Sequence, residues 1–112
     1  CVDWFETDDF IFVHGGLAPH LSLPEQPIPV LRWQKLTPAV RPHFSGKTMV
    51  CGHTPQPSGL PLDLGHAICI DTGIYMPNGR LTCLDVQDGT FWQASQEGEI
   101  RELNLDDLDE GY

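Results

Sequence analysis

Two histidines stand where a site would be built: His14 follows Phe10-Ile11-Phe12-Val13 directly, and His53 follows Met49-Val50-Cys51 after Gly52. Imidazole binds metal ions and carries protons near neutral pH. Each preceding run is apolar, favours β structure and lacks polar alternation, the pattern of a strand covered on both faces within an α/β sheet. Ligands of open α/β sheets bind outside the carboxyl ends of the strands, so two imidazoles delivered there can converge on one cation. Gly15, Gly16 and Gly52 flank the pair, and a missing Cβ lets the chain turn sharply beside an ion or anion. A single histidine after a strand is more often a hydrogen-bonded loop or core residue; two in the same context favour a shared site.

The elements expected to position them are a strand, a long loop with a short helix, a second strand and then an antiparallel meander. Pro19, Pro24, Pro27 and Pro29 exclude a continuous helix over residues 18–30 and mark an extended surface loop, of the kind that borders a binding cleft. Leu31-Arg32-Trp33-Gln34-Lys35-Leu36 is predicted as a short helix ended by Pro38. Ala67-Ile68-Cys69-Ile70-Asp71 reads as another buried strand. Asn78-Gly79 then gives a hairpin signal before Arg80 to Val86, and Asp88-Gly89 repeats it before Thr90-Phe91-Trp92-Gln93-Ala94. These three strands make the expected meander beside the histidine-bearing strands.

Composition bounds the partners. Six Lys+Arg against 16 Asp+Glu leave a formal net charge of −10, so an anion site here calls for bound cations more than for arginines. Nucleic acid is disfavoured as a bound polymer, since that affinity rests on Lys and Arg neutralising phosphates; anionic membrane surfaces are disfavoured for the same reason. No apolar run approaches the roughly 18 residues of a membrane span. With 40% hydrophobic residues in 112, one core can be buried and two cannot. The expected organisation is a globular unit over residues 1–96 and an acidic, disordered tail over 97–112, which holds seven acids and one arginine. Cys51, Cys69 and Cys83 sit in strand-like runs, where cysteine behaves as a small hydrophobe. A reduced, cytoplasmic protein is expected, with a disulfide between neighbouring strands as the alternative.

An ordered set of motifs carries a resemblance. Glu6-Thr7-Asp8-Asp9-Phe10-Ile11-Phe12-Val13-His14-Gly15-Gly16-Leu17, Leu31-Arg32-Trp33, Gly46-Lys47-Thr48-Met49-Val50-Cys51-Gly52-His53-Thr54-Pro55, and Ile70-Asp71-Thr72-Gly73 with Gly79-Arg80-Leu81-Thr82 follow one another as in the calcineurin-like metallophosphoesterases. Over roughly residues 5–95 the chain resembles the C-terminal half of their bacterial serine/threonine protein phosphatase branch. The fold this implies is the C-terminal half of the family's α/β sandwich, a mixed sheet ending in an antiparallel β-meander. Two divalent metal ions, manganese above iron, zinc, cobalt or nickel, are implied in the complete enzyme, with His14 and His53 as ligands of the same ion. The family's other ligands come from Gly-Asp-x-His-Gly, Gly-Asp-x-x-Asp-Arg-Gly and Gly-Asn-His-Glu motifs, and its general acid is a histidine of that same upstream half. None of those strings occurs here. With Cys1 only a few residues before the first strand, the chain is expected to be a fragment lacking the N-terminal half of the catalytic domain.

The resemblance implies a phosphoprotein or phosphopeptide substrate, hydrolysed by in-line attack of metal-activated water. Family members carry a phosphate-binding arginine just after the tryptophan; this chain has Arg32 before Trp33 and Gln34-Lys35 after it. Arg32 and Lys35 are therefore both candidates, although only arginine offers a planar fork. Asp71 has two readings, an acceptor behind a ligand histidine or a structural cap. His20, His43 and His66 match no motif and are read as surface or loop residues. Two other readings remain: a dinucleoside polyphosphate hydrolase of the same fold, and a non-catalytic binding module. A dinuclear site needs a bridging carboxylate and enough ligands to hold ions roughly 3.5–4 Å apart, and two imidazoles do not suffice. The isolated 112-residue chain is thus expected to be inactive, and appreciable manganese-dependent hydrolysis of p-nitrophenyl phosphate by it would overturn that expectation.

Overall fold

The structure, a computed structural model, describes residues 2–37, 39–77 and 79–107. The chain divides into two compact units, Cys1–Thr54 with Leu62–Cys69, and Pro55–Pro61 with Ile70–Tyr112. Neither follows the expected division at residue 96. Sheets predominate and helices are few, an arrangement compatible with a small α/β or mostly-β fold. Among the described residues no helix is long and apolar enough to cross a membrane.

The first unit holds five strands: β1 (Phe5–Glu6), β2 (Phe10–Phe12), β3 (Thr48–Cys51), β4 (Leu62–Asp63) and β5 (Ala67–Cys69), in the spatial order β1-β2-β3-β5-β4. β2, β3 and β5 run parallel, while β1 and β4 pair antiparallel at the two edges. The apolar runs are the reason: all of β5 and three of the four residues of β3 are buried, as inner strands of a parallel sheet require. Ala67–Cys69 therefore belongs beside β3, not in the meander expected from the hairpin signals. Asn78, half of one such signal, lies outside the described residues.

Strand alternation turns Ile11, Met49, Cys51, Ala67 and Cys69 to one face of this sheet, where Leu17, Leu23, Leu31 and Leu36 close the core. The proline-rich segment is thus partly a cover. It forms a 3₁₀ turn at Leu23–Glu25 and a helix α1 at Ile28–Trp33. That helix starts three residues before the predicted one and ends three residues earlier. Pro29 sits in its first turn, where the missing N–H has no helical partner to lose. Pro38, the expected stop, lies outside the described residues. Six residues cannot hold a helix by propensity; burial of Leu31, 1% exposed, and the N–H groups of Gly15 and Gly16 on the Leu31 and Val30 carbonyls hold it instead.

The second unit holds β6 (Arg80–Leu84), β7 (Thr90–Ser95) and β8 (Ile100–Asn104), an antiparallel meander. Asp88-Gly89 forms the β6–β7 turn as expected, with Gly89 at φ +80°. β8 corrects the expectation that residues 97–112 form a disordered tail. It holds one acid, Glu102, beside Arg101 and the apolar Ile100 and Leu103, and every position from Ile100 to Asn104 pairs with β7. Residues 108–112 lie outside the described part. Cys51 and Cys69 are buried register partners, but Cys83, expected inside, is exposed with a free thiol.

Gln26, only 6% exposed, ties the proline-rich cover together. Its Oε1 accepts the Ala18 N–H at 2.8 Å, and its Nε2 donates to the Ala18 and Leu21 carbonyls at 2.9 Å. Gln26→Ala leaves these backbone groups short of partners and should cost about 2–3 kcal/mol, read from the midpoint of urea unfolding; an unchanged midpoint would reject this role.

Candidate functional site

His14 and His53 reach one place because β2 and β3 are parallel neighbours in register, Phe12 opposite Val50. The ladder continues past the strand ends. Val13 N–H donates to the Val50 carbonyl at 3.0 Å, and Gly52 N–H donates to the His14 carbonyl at 2.9 Å. The two loops therefore leave the sheet side by side, and the imidazole centroids lie 4.9 Å apart with the rings tilted by 53°. His14 is exposed and His53 half-buried.

His53 has a φ of +63° and is the only non-glycine residue with positive φ among those described. The Thr54 N–H bonds back to the Gly52 carbonyl at 2.7 Å, so His53 is the centre of a γ-type turn, a rare and strained geometry. Left-handed backbone costs an ordinary residue roughly 1–2 kcal/mol, so the surrounding structure must hold it. Two bonds to Thr54 do so: its Oγ1 accepts the Leu36 N–H at 2.7 Å, and its carbonyl lies 3.2 Å from the Cys69 thiol. Strain of this kind concentrates at functional positions.

The helix end packs against the His14 loop. A Cβ on Gly15 would lie 2.9 Å from the Arg32 carbonyl carbon and 3.0 Å from Trp33 N and Gln34 O, so only glycine allows this approach. Trp33, 68% exposed, stands edge-on to His53 with centroids 5.8 Å apart. A cavity of about 310 Å³ is lined by Val2, Asp3, His14, Arg32 and Trp33. Of the two basic candidates Arg32 shares this cavity; Lys35 is exposed and not among its walls. The Asp3 Oδ1 accepts from Arg32 Nε at 3.1 Å and Nη2 at 2.8 Å. Nη1 takes no part in this pair. Asp3 carried no sequence signal, since its pairing with Arg32 spans 29 positions.

Asp71 lies in the second unit, where its Oδ1 accepts the Gly73 N–H at 3.1 Å. His20 is exposed. His43 is in a loop as expected, but buried, with Nε2 2.7 Å from the Leu21 carbonyl and Nδ1 2.8 Å from Ser45 Oγ. His66 is half-buried with Nε2 2.8 Å from the Val40 carbonyl.

The histidine ring spacing lies in the ordinary range of packed rings, about 4.5–7 Å, and is also one that a shared cation allows. With metal–nitrogen bonds of about 2.1 Å and bond angles between a right angle and tetrahedral, two imidazole centroids should be about 4.5–5.3 Å apart, which includes the observed 4.9 Å. Among the described residues no group of three His, Cys, Asp or Glu residues converges. No family model, curated protein or solved structure matches the chain.

Two substitutions separate strain from packing. His53→Gly relieves the left-handed backbone but adds unfolded-state freedom, so stability should stay within about 1 kcal/mol of the parent. Gly15→Ala should destabilise by about 1–3 kcal/mol through the forced contact with α1. A denaturant series in which His53→Gly proved the more damaging would show that the imidazole is a core group.

Proposed function

We propose that this chain carries part of the metal site of a dinuclear metal-dependent phosphatase that hydrolyses phosphoserine or phosphothreonine monoesters. The reading includes a metallophosphoesterase fold and a cytoplasmic, phosphoprotein-directed role. What supports it above all is the pair of imidazoles on adjacent parallel strand ends, 4.9 Å apart, one of them on strained backbone. A solvated or core histidine has no need of either feature.

In this proposal His14 and His53 donate ring nitrogens to one divalent ion, and the remaining ligands, including a bridging carboxylate, come from polypeptide outside these 112 residues. When bound, the ions supply Lewis-acid polarisation of the phosphoryl oxygens and a nucleophilic water at neutral pH. Arg32 takes phosphoryl oxygens on the guanidinium edge that Asp3 leaves unused, which favours it over Lys35 as the phosphate group's partner. The geometry suits charge-assisted, paired hydrogen bonds. Trp33 lines the cavity with His14 and contacts the His53 ring edge-on. The turn at His53 fixes where its backbone presents the ring.

In the complete enzyme His53→Asn should lower kcat by about 100-fold or more, beyond the 10–100-fold typical of groups that only support a ligand. Asparagine tolerates left-handed backbone, so circular dichroism and melting should be unchanged while metal content falls. Near-normal turnover with full metal content would reject the ligand role. A complete polypeptide with no phosphatase activity in any of these metals would favour the binding module.

A further inference from the structure

The second unit has a separate, open polar cavity of about 350 Å³, lined by Ser58, Arg80, Ser95 and the exposed Gln96, Glu97 and Glu99 among others. Its size is within the range of small-ligand sites, about 300–1,000 Å³. Its charges are arranged unusually. One guanidinium and two carboxylates border the same space, yet among the described residues the ion pairs are Arg32–Asp3 and Lys47–Glu6. Arg80 is thus held out of ion-pair reach of both Glu97 and Glu99.

The scaffold explains what keeps them apart. Arg80 opens β6 opposite Ser95, and Glu97 and Glu99 lie on the β7–β8 turn, closed by Ser95 N–H on the Glu99 carbonyl at 2.8 Å and Glu99 N–H on Ser95 Oγ at 3.1 Å. Gln96 Nε2 is fixed to the Ile74 and Met76 carbonyls at 2.6 and 3.0 Å. On β7, Gln93, 1% exposed, donates to the Gly59 carbonyl and Thr82 Oγ1, and its Oε1 accepts both Nε and Nη2 of Arg101. That network occupies one edge of the Arg101 fork and leaves Arg80 as the basic group of the cavity wall. Partial burial, then the nearby charge of Arg80, lowers the Arg101 guanidinium pKa from its ordinary value; Arg80 itself forms one side of the cavity. The acidic turn forms the other side. A ligand with both signs of charge satisfies the two walls at once; a simple anion meets Glu97 and Glu99, and a simple cation meets Arg80.

We propose that this cavity binds a small zwitterion of the amino acid or dipeptide class, its carboxylate on Arg80 and its ammonium on Glu97 and Glu99. The proposal is independent of the phosphatase reading, because none of these residues belongs to the histidine site. The test is an NMR titration of the 112-residue chain with L-alanyl-L-alanine, its N-acetyl derivative and its C-terminal amide, following the backbone amides of Arg80 and of residues 96–99. Saturable shifts are expected with the free dipeptide, and each blocked derivative should bind at least about tenfold more weakly, as loss of one charged hydrogen-bonding partner implies. In Arg80→Met the dipeptide and its amide should bind alike, and in Glu97→Gln/Glu99→Gln the dipeptide and its acetylated form should bind alike. No saturable shift with the free dipeptide, or equal affinity for all three compounds, would overturn the proposal on the unaltered protein, whatever the variants do.

Discussion

The parallel pairing of β2 with β3 is the constraint on which the candidate site depends. Register sets side-chain direction with a period of two residues, so a slip by one would turn His14 or His53 to the opposite face and separate the rings. The pairing also runs beyond the strands, through Val13 to Val50 and Gly52 to His14. Loop backbone that would otherwise be free is thereby ordered by the same ladder. Burial of Ile11 and Met49 on one face makes the register expensive to change, since their exposure would cost about 1.5–3 kcal/mol each.

From that pairing follows the placement of α1. The helix is short, capped by proline and unable to stand alone, so its position is dictated by what it packs on. Gly15 and Gly16 meet it through backbone bonds to Leu31 and Val30, and Leu31 fills the core beneath. Trp33 and Arg32 then fall beside the histidines because they end a helix already fixed there. The strain at His53 is affordable in this setting, with Leu36 and Cys69 both bonded to Thr54 on the following residue.

The second unit is organised by polar satisfaction more than by apolar volume. Phe91 is its fully buried aromatic, yet Gln93, Thr72 and Thr82 are buried alongside it. Thr72 Oγ1 lies 2.6 Å from Thr82 Oγ1 and donates to the Arg80 carbonyl, and among the described residues no buried side-chain nitrogen or oxygen lacks a partner. A network of this kind tolerates little rearrangement, because each member removed strands another in a low-dielectric interior. It ties β6, β7 and β8 together through Thr82, Gln93 and Arg101.

The sequence by itself determined the strands at Phe10 and Thr48, their termination at His14 and His53, and the turn at Asp88-Gly89, because local patterns of apolar residues and turn formers fix these directly. It did not determine helix bounds, since the proline spacing that forbids a long helix also suits the first turn of a short one. β5 and β8 were misplaced for a related reason: a buried tripeptide such as Ala67–Cys69 has no local mark of its partner, and the acids of residues 99–107 conceal a strand whose stability comes from pairing with β7. Only the tertiary structure decided how closely the two imidazoles approach, that His53 sits on left-handed backbone, and that Arg32 rather than Lys35 shares a cavity with His14 and Asp3. Those are long-range contacts and backbone torsions, set by the packing of residues far apart in the chain, for which residue type and spacing carry no signal.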